Sequence, residues 1–305
     1  MDAAAQFLSS VIAQTTPLLL AALAAMITTR ANILNVAVEG MMLIAAFAAI
    51  AVGQATGAAG PAFAAAVLAS LATALVFGFV AITLKADVIL AGLGLNILAA
   101  GGTLFVLEKV YENPGGLRPA TFPDLWQIPA GSLQWLPVIG PAFERQSVIV
   151  LIAIAAVPAC VVLLGRTPLG YAIRAVGEDA GAAAASGIRN DAVKLMAVLI
   201  SGLLAGLAGA QLAMDRLHFF LPDMTSGRGF IGLAATLFGG GQPWATAGAA
   251  FLFGLFGATG DRLQSLRVPS QFVLMIPYAA AIAGLVVSRL RATVRGRPAA
   301  LDTSR

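Results

Sequence analysis

The sequence predicts an all-α polytopic membrane protein, on three observations. Hydrophobic residues make up 59% of the chain and charged residues only 10%, where a soluble globular protein carries roughly 25% charge. Apolar stretches approaching the roughly 20 residues that cross a hydrocarbon core as a helix recur along most of the length. Those stretches are rich in Ala and Leu and do not alternate, so they do not read as the strands of a membrane barrel. About 8–10 transmembrane helices are expected, in a single domain over residues 1–305.

Taken in order, the first run covers about 11–28 and stops before Arg30. Met1 to Gln14 holds no Lys or Arg, so no basic leader segment precedes it and the run reads as a span. The second starts near Ile33 and continues to Val52, with Glu39 close to its beginning. The third, about 62–84, ends at Lys85 and Asp87, and the fourth, about 88–107, contains Asn96 within GLGLN. Residues 108–147 change character, with six of the fifteen prolines, Trp126, Trp135 and seven charged residues. This reads as a folded hydrophilic loop, too proline-rich for one long helix.

A fifth run, about 148–164, leads into the longest polar interruption, 165–191. Thr167 before Pro168 is a helix start, because proline at the first helical position loses only an N–H that lacked a partner. Gly177 is expected to end that helix in a left-handed conformation. Glu178 and Asp179 then open a second helix, where carboxylates favour the positive dipole end, and Gly187 closes it after Ala182–Ala185. Taken alone, this elbow is either an ordinary hydrophilic loop or a docking piece.

Beyond it come a span at about 193–213 and a polar turn from Asp215 to Arg228. The apolar run of about 229–238 is too short to cross alone and is expected as a broken or re-entrant helix. Two further spans are expected at about 245–260 and 271–289. The last seventeen residues carry Arg289, Arg291, Arg295, Arg297 and Arg305. Beside a final span, such a tail marks the cytoplasmic side rather than a nucleic-acid site. Counting crossings back from it puts Arg30, Lys85 and the elbow inside, with the 108–147 loop and the N-terminus outside. The short 229–238 run must then count as a crossing or share one.

NVAVEGMML (35–43), GLGLN (92–96), GEDAGAAAASGI (177–188), SGLLAGLAGA (201–210) and GRGFIGLAATLFGG (227–240) follow one another in an order seen in one family. Across roughly residues 15–290 the chain resembles the permease subunits of ABC importers for nucleosides and simple sugars. These are distantly related to ribose and branched-chain amino acid permeases, and the chain is similar to the shorter of two permeases that pair. Val36 and Ala37 depart from the family's usual Ile-Gly before Val-Glu-Gly, and Gly240, Gly241 and Gln242 are looser than its usual form.

The resemblance implies that Gly177, Glu178, Asp179, Ala182, Ala183 and Gly187 form a coupling helix seated in an ATP-hydrolysing partner. No GxxxxGK[ST] loop is present to cradle phosphates, so ATP and Mg are expected on that partner and no cofactor on this chain. Further implied partners are a second homologous permease and a periplasmic or lipid-anchored solute-binding protein, in a bacterial inner membrane. The 108–147 loop then contributes the face on which the binding protein lands.

Glu39, Asn96 and Phe230 are candidates for the translocation pathway. Each has a structural alternative. Glu39, costing roughly 2.5–3.5 kcal/mol at a helix centre if unpaired, either bonds solute hydroxyls or pairs with backbone N–H groups at a break around Gly40. Asn96 either lines a cavity opened by Gly92 and Gly94 or bonds between helices. Phe230 either stacks on a base or sugar face or meets lipid and core. Gly202, Gly206 and Ala210, at spacing four, read as helix packing. Asp215, Arg216, His218, Asp223 and Arg228 crowd one turn, and a lone histidine among ion-paired neighbours reads as structural rather than metal-binding. Asp261 with Arg262 reads as a helix-end pair. An ion-coupled secondary transporter using Glu39 is the rival class. An enzyme is not expected, because no nucleophile, base or metal motif is in place.

Overall fold

A computed structural model describes residues 3–265, apart from 120–121, 123–124, 129–138 and 145. The expected span at 271–289, the basic tail and Trp135 lie outside the described residues. Helices in chain order are α1 (Ala3–Arg30), α2 (Val38–Thr56), α3 (Ala59–Gly78), α4 (Val88–Lys109), α5 (Ile139–Phe143), α6 (Val148–Arg166), α7 (Pro168–Glu178), α8 (Ala180–Ala185), α9 (Asn190–Gln211), α10 (Arg228–Phe238) and α11 (Pro243–Ser265). π-helical turns extend α3 over Phe79–Thr83 and α9 over Leu212–Leu217. Beyond isolated bridges, no strands occur among the described residues.

Six of these helices are long and apolar enough to cross a membrane, and α10 is too short at 11 residues. The protein is therefore an all-α, multi-pass membrane protein. Helix α1 is its axis, touching α9, α10, α11, α5 and α6, with Leu20 to Ile27 entirely buried. By contrast α4 leaves Leu90, Ile97, Leu98 and Phe105 exposed. In a bilayer that face meets lipid or another subunit.

Small residues set the helix separations. A Cβ on Gly202 would stand 2.5 Å from Ala74 Cβ, and one on Gly206 would stand 2.9 Å from Ser70 Cβ. Ser70 Oγ also donates to the Gly202 carbonyl at 2.7 Å, so the spacing read as packing is the α9–α3 contact.

One end of the bundle gathers Arg30, the start of α4 and the elbow, because α7 packs on the Arg30 carbonyl at Gly177 and the start of α9 meets Gly78 through Leu195. The opposite end gathers the α1 N-terminus and the 108–147 loop, where Gln146 Nε2 donates to Ser9 Oγ at 2.9 Å. Leu117 and Phe220 exchange backbone hydrogen bonds, each 2.9 Å, at the same end. Trp126 is exposed there and meets Phe63 edge-on.

Between Phe220 at that end and Gly241, whose carbonyl accepts from Arg30 Nε at 2.6 Å, the chain passes from one end to the other. Only Arg228–Phe238 of that passage is α-helical. The short run supplies the α-helical part of that passage.

Two boundaries differ from the sequence reading. The second helix begins at Val38 rather than near Ile33, because Asn32 is left-handed (φ +57°) and Asn35 Oδ1 takes the Ala37 N–H. Helix α7 runs through Gly177 to Glu178, with Asp179 as its end. Gly177 serves instead as a point of close approach, since a Cβ there would collide with the Arg30 carbonyl.

Candidate functional site

Two broken helices meet inside the bundle. Helices α2 and α10 both begin away from the bundle ends, so each exposes N–H groups that have no partner in their own helix. Glu39, in the first turn of α2, answers those of α10. Its Oε1 accepts from Gly227 N–H at 2.8 Å and its Oε2 from Gly229 N–H at 2.6 Å. The residue is 7% exposed, and both flanking helix starts present the positive ends of their dipoles to it. Arg228 also acts on this carboxylate electrostatically. A charge that would be costly in hydrocarbon is thereby satisfied wholly by protein.

The start of α2 is answered from α4. Asn96 Oδ1 accepts from Gly40 N–H at 2.8 Å, and its Nδ2 donates to the Val36 carbonyl at 3.0 Å. One amide therefore splints the irregular 31–37 segment to the helix that follows it. The space expected beside Gly92 is filled: a Cβ there would lie 3.0 Å from Val36 Cβ and from Ala37 N. Gly94 does face open space.

Glycines let α10 enter this packing. A Cβ on Gly229 would stand 2.6 Å from Glu39 N, and one on Gly232 would stand 2.8 Å from the Ala21 backbone. Thr236 Oγ1 then bonds the Ala22 carbonyl at 2.7 Å. With that face turned inward, Phe230 stays 42% exposed on another side of the helix. The three pathway candidates therefore divide into Glu39 and Asn96, which sit at one joint, and Phe230 on an open face. The break that Glu39 closes is the start of α10, not the one around Gly40, and sequence spacing gives no signal of this 188-residue separation.

The elbow is built by local rules. Thr167 Oγ1 accepts from Gly170 N–H at 3.0 Å at the start of α7. Asp179 Oδ1 accepts from Gly181 N–H at 2.8 Å and Ala182 N–H at 3.0 Å at the start of α8, as an N-cap should. Gly187, at φ +83°, ends α8: its N–H reaches the Ala184 carbonyl and that of Ile188 the Ala183 carbonyl, the double closure of a glycine-terminated helix. Glu178, Asp179 and Ala182 are exposed while Ala183 is buried against the bundle. Asn190 Nδ2 ties α9 back to the Ala180 carbonyl at 2.7 Å. The result is a short, doubly capped helix with a smooth outer face.

The polar turn holds no group of three or more metal-ligating side chains among the described residues. His218 stacks on Phe122 at 5.6 Å. Asp261 reaches across to Gln14 Nε2 at 2.8 Å, and Arg262 lies over the Phe7 ring.

A family model described as "Branched-chain amino acid transport system / permease component" matches residues 7–288. A putative glucose ABC transporter permease protein of Haloferax volcanii is 37% identical over 88% of this chain and 80% of its own length. A guanosine ABC transporter permease protein of Bacillus subtilis is 34% identical over 88% of this chain and 87% of its own. A nucleoside ABC transporter permease protein of Lactococcus lactis is 31% identical over 88% of each. No solved structure gives a significant match.

Proposed function

Because this chain belongs to the branched-chain amino acid transport system permease family, a family of ABC transporter subunits and not of enzymes, we propose that it forms the pathway of an ABC importer for a nucleoside or simple sugar. The solute class rests on the functions named for the relatives in Haloferax, Bacillus and Lactococcus. The driving partner rests on the elbow.

Helix α8, capped at both ends and exposed, is the piece suited to a groove in an ATP-hydrolysing subunit. That subunit carries the ATP and Mg. Arg30, Arg166, Arg174, Arg189 and Lys194 cluster at the same end of the bundle, which is read as cytoplasmic by the excess of basic residues, in a bacterial inner membrane. The opposite end, with the 108–147 loop, receives a solute-binding protein. A second homologous permease completes the pathway against apolar faces such as that of α4.

In this reading Glu39 and Asn96 hold the joint about which α10 is hung, and Phe230 stands on the side open to the pathway. The observation that carries the whole is the capped, exposed α8. No finding favours the ion-coupled alternative, and Glu39 has both oxygens committed to backbone donors.

The test is to purify the protein in mild detergent from its own membranes and identify its companions by mass spectrometry. A P-loop ATPase and a related permease are the expected companions. A folded protein that repeatedly comes down alone would overturn the proposal.

A further inference from the structure

Among the cavities that open between the described helices, two have linings that differ in kind. The larger, about 330 Å³, is bordered by Leu8, Ile12, Leu19, Val150 and Phe251 and offers a polar solute almost nothing. The smaller, about 160 Å³, lies between α1, α9, α10 and α11 and is lined by Ser10, Gln14, Gln211, Arg228 and Asp261. It sits toward the end of the bundle where Ser9 meets Gln146, opposite the elbow.

Its hydrogen-bonding groups are incompletely used. Gln211 is 3% exposed; its amide nitrogen donates to Asp215 Oδ2 at 3.1 Å, while its amide oxygen has no partner among the described residues. A buried acceptor left unmatched is costly, and the side chain that carries it lines the cavity. Asp261 has Oδ2 engaged by Gln14. Arg228 holds the Met224 and Thr225 carbonyls through one terminal nitrogen, out of the five N–H donors a guanidinium carries.

The cavity thus sets a carboxylate and amide side chains beside a guanidinium. An anion would meet Asp261, and a cation would meet Arg228. A hydroxyl, which donates and accepts at once, suits both. The volume corresponds to about five waters at roughly 30 Å³ each, which is room for one hydroxylated ring and not for a whole nucleoside.

We propose that this cavity is a solute subsite within the single permease chain, taking the sugar ring of a neutral solute. It deepens the nucleoside-or-sugar reading above and rests on it. Arg228 is also the first residue of α10, so an occupied subsite touches the half-helix whose start Glu39 caps.

The test uses the intact importer in lipid nanodiscs, with radiolabelled ribose, glucose and guanosine as probes. Binding is measured without nucleotide by scintillation proximity, and uptake separately in proteoliposomes with the binding protein. At least one probe is expected to bind, and Asp261→Asn and Gln211→Met should each weaken that binding fivefold or more, with the complex assembled and its melting temperature kept. Wild-type complex that binds none of the probes, or variants that bind within twofold of it, would overturn the subsite. Binding that responds to the variants while no probe is taken up would leave the subsite standing and overturn the transport reading instead.

Discussion

The molecule caps a short helix twice by the same chemistry, under opposite conditions. At the elbow, Asp179 caps α8 from the adjoining residue, exposed to solvent. Inside the bundle, Glu39 caps α10 from 188 residues away, almost fully buried. In both, a carboxylate accepts two backbone N–H groups at a positive helix end. The difference lies in what removal leaves behind. Water can replace Asp179, whereas nothing can replace Glu39, so the first cap serves local shape and the second supports the fold.

The sharpest way to break that contrast is Glu39→Ala. A buried donor and a half-buried one would lose their acceptors at about 1–3 kcal/mol each, so a loss of roughly 3 kcal/mol is expected, seen as a large drop in melting temperature in detergent. A melting temperature within a degree of wild type would mean that the cap is dispensable.

Next in size is Asn96→Leu, which frees the Gly40 N–H and the Val36 carbonyl. About 2 kcal/mol is expected from the same measurement, near the top of the range for interhelical amides. At the elbow, Asp179→Ala should cost about 1 kcal/mol of α8 alone, too local to shift global melting. Asp179→Ser, which keeps a cap, should behave as wild type, and ATP-driven uptake is the assay that separates the two. A local cost of the same order is expected of Gly187→Leu. A Cβ there meets only open space, and the strain is about 1–2 kcal/mol for a left-handed residue. Membrane insertion should be normal while uptake falls, and unaltered uptake would remove the elbow from coupling.

The same contrast explains how much was legible in the sequence. Thr167, Pro168, Asp179 and Gly187 act on neighbours within a few residues, so their order in the chain spells out two helices. Gly177 and Glu178 misled by that logic, since the glycine answers to Arg30 on a distant helix. The all-α membrane class follows from composition and from long, non-alternating apolar runs. Asn96 and Glu39 announced themselves as polar residues in apolar runs, but their partners follow from three-dimensional packing. The turn at Asn32 and Asn35 that delays α2 was hidden because Ile33, Leu34 and Val36 continue the apolar pattern straight through it.

The long reach of the Glu39 cap also has a consequence in time. A ribosome adding 5–20 residues per second needs roughly 10–40 s to make the 188 residues that separate Glu39 from Gly227. Through that interval the carboxylate is already committed to the membrane region while its donors do not yet exist. Until then it must wait near the interface or in the shelter of the insertion machinery. The joint at the heart of the bundle therefore closes late, though before Gln14 meets Asp261 across 247 residues, and biogenesis, rather than the finished fold, is where a weakened cap would first be felt.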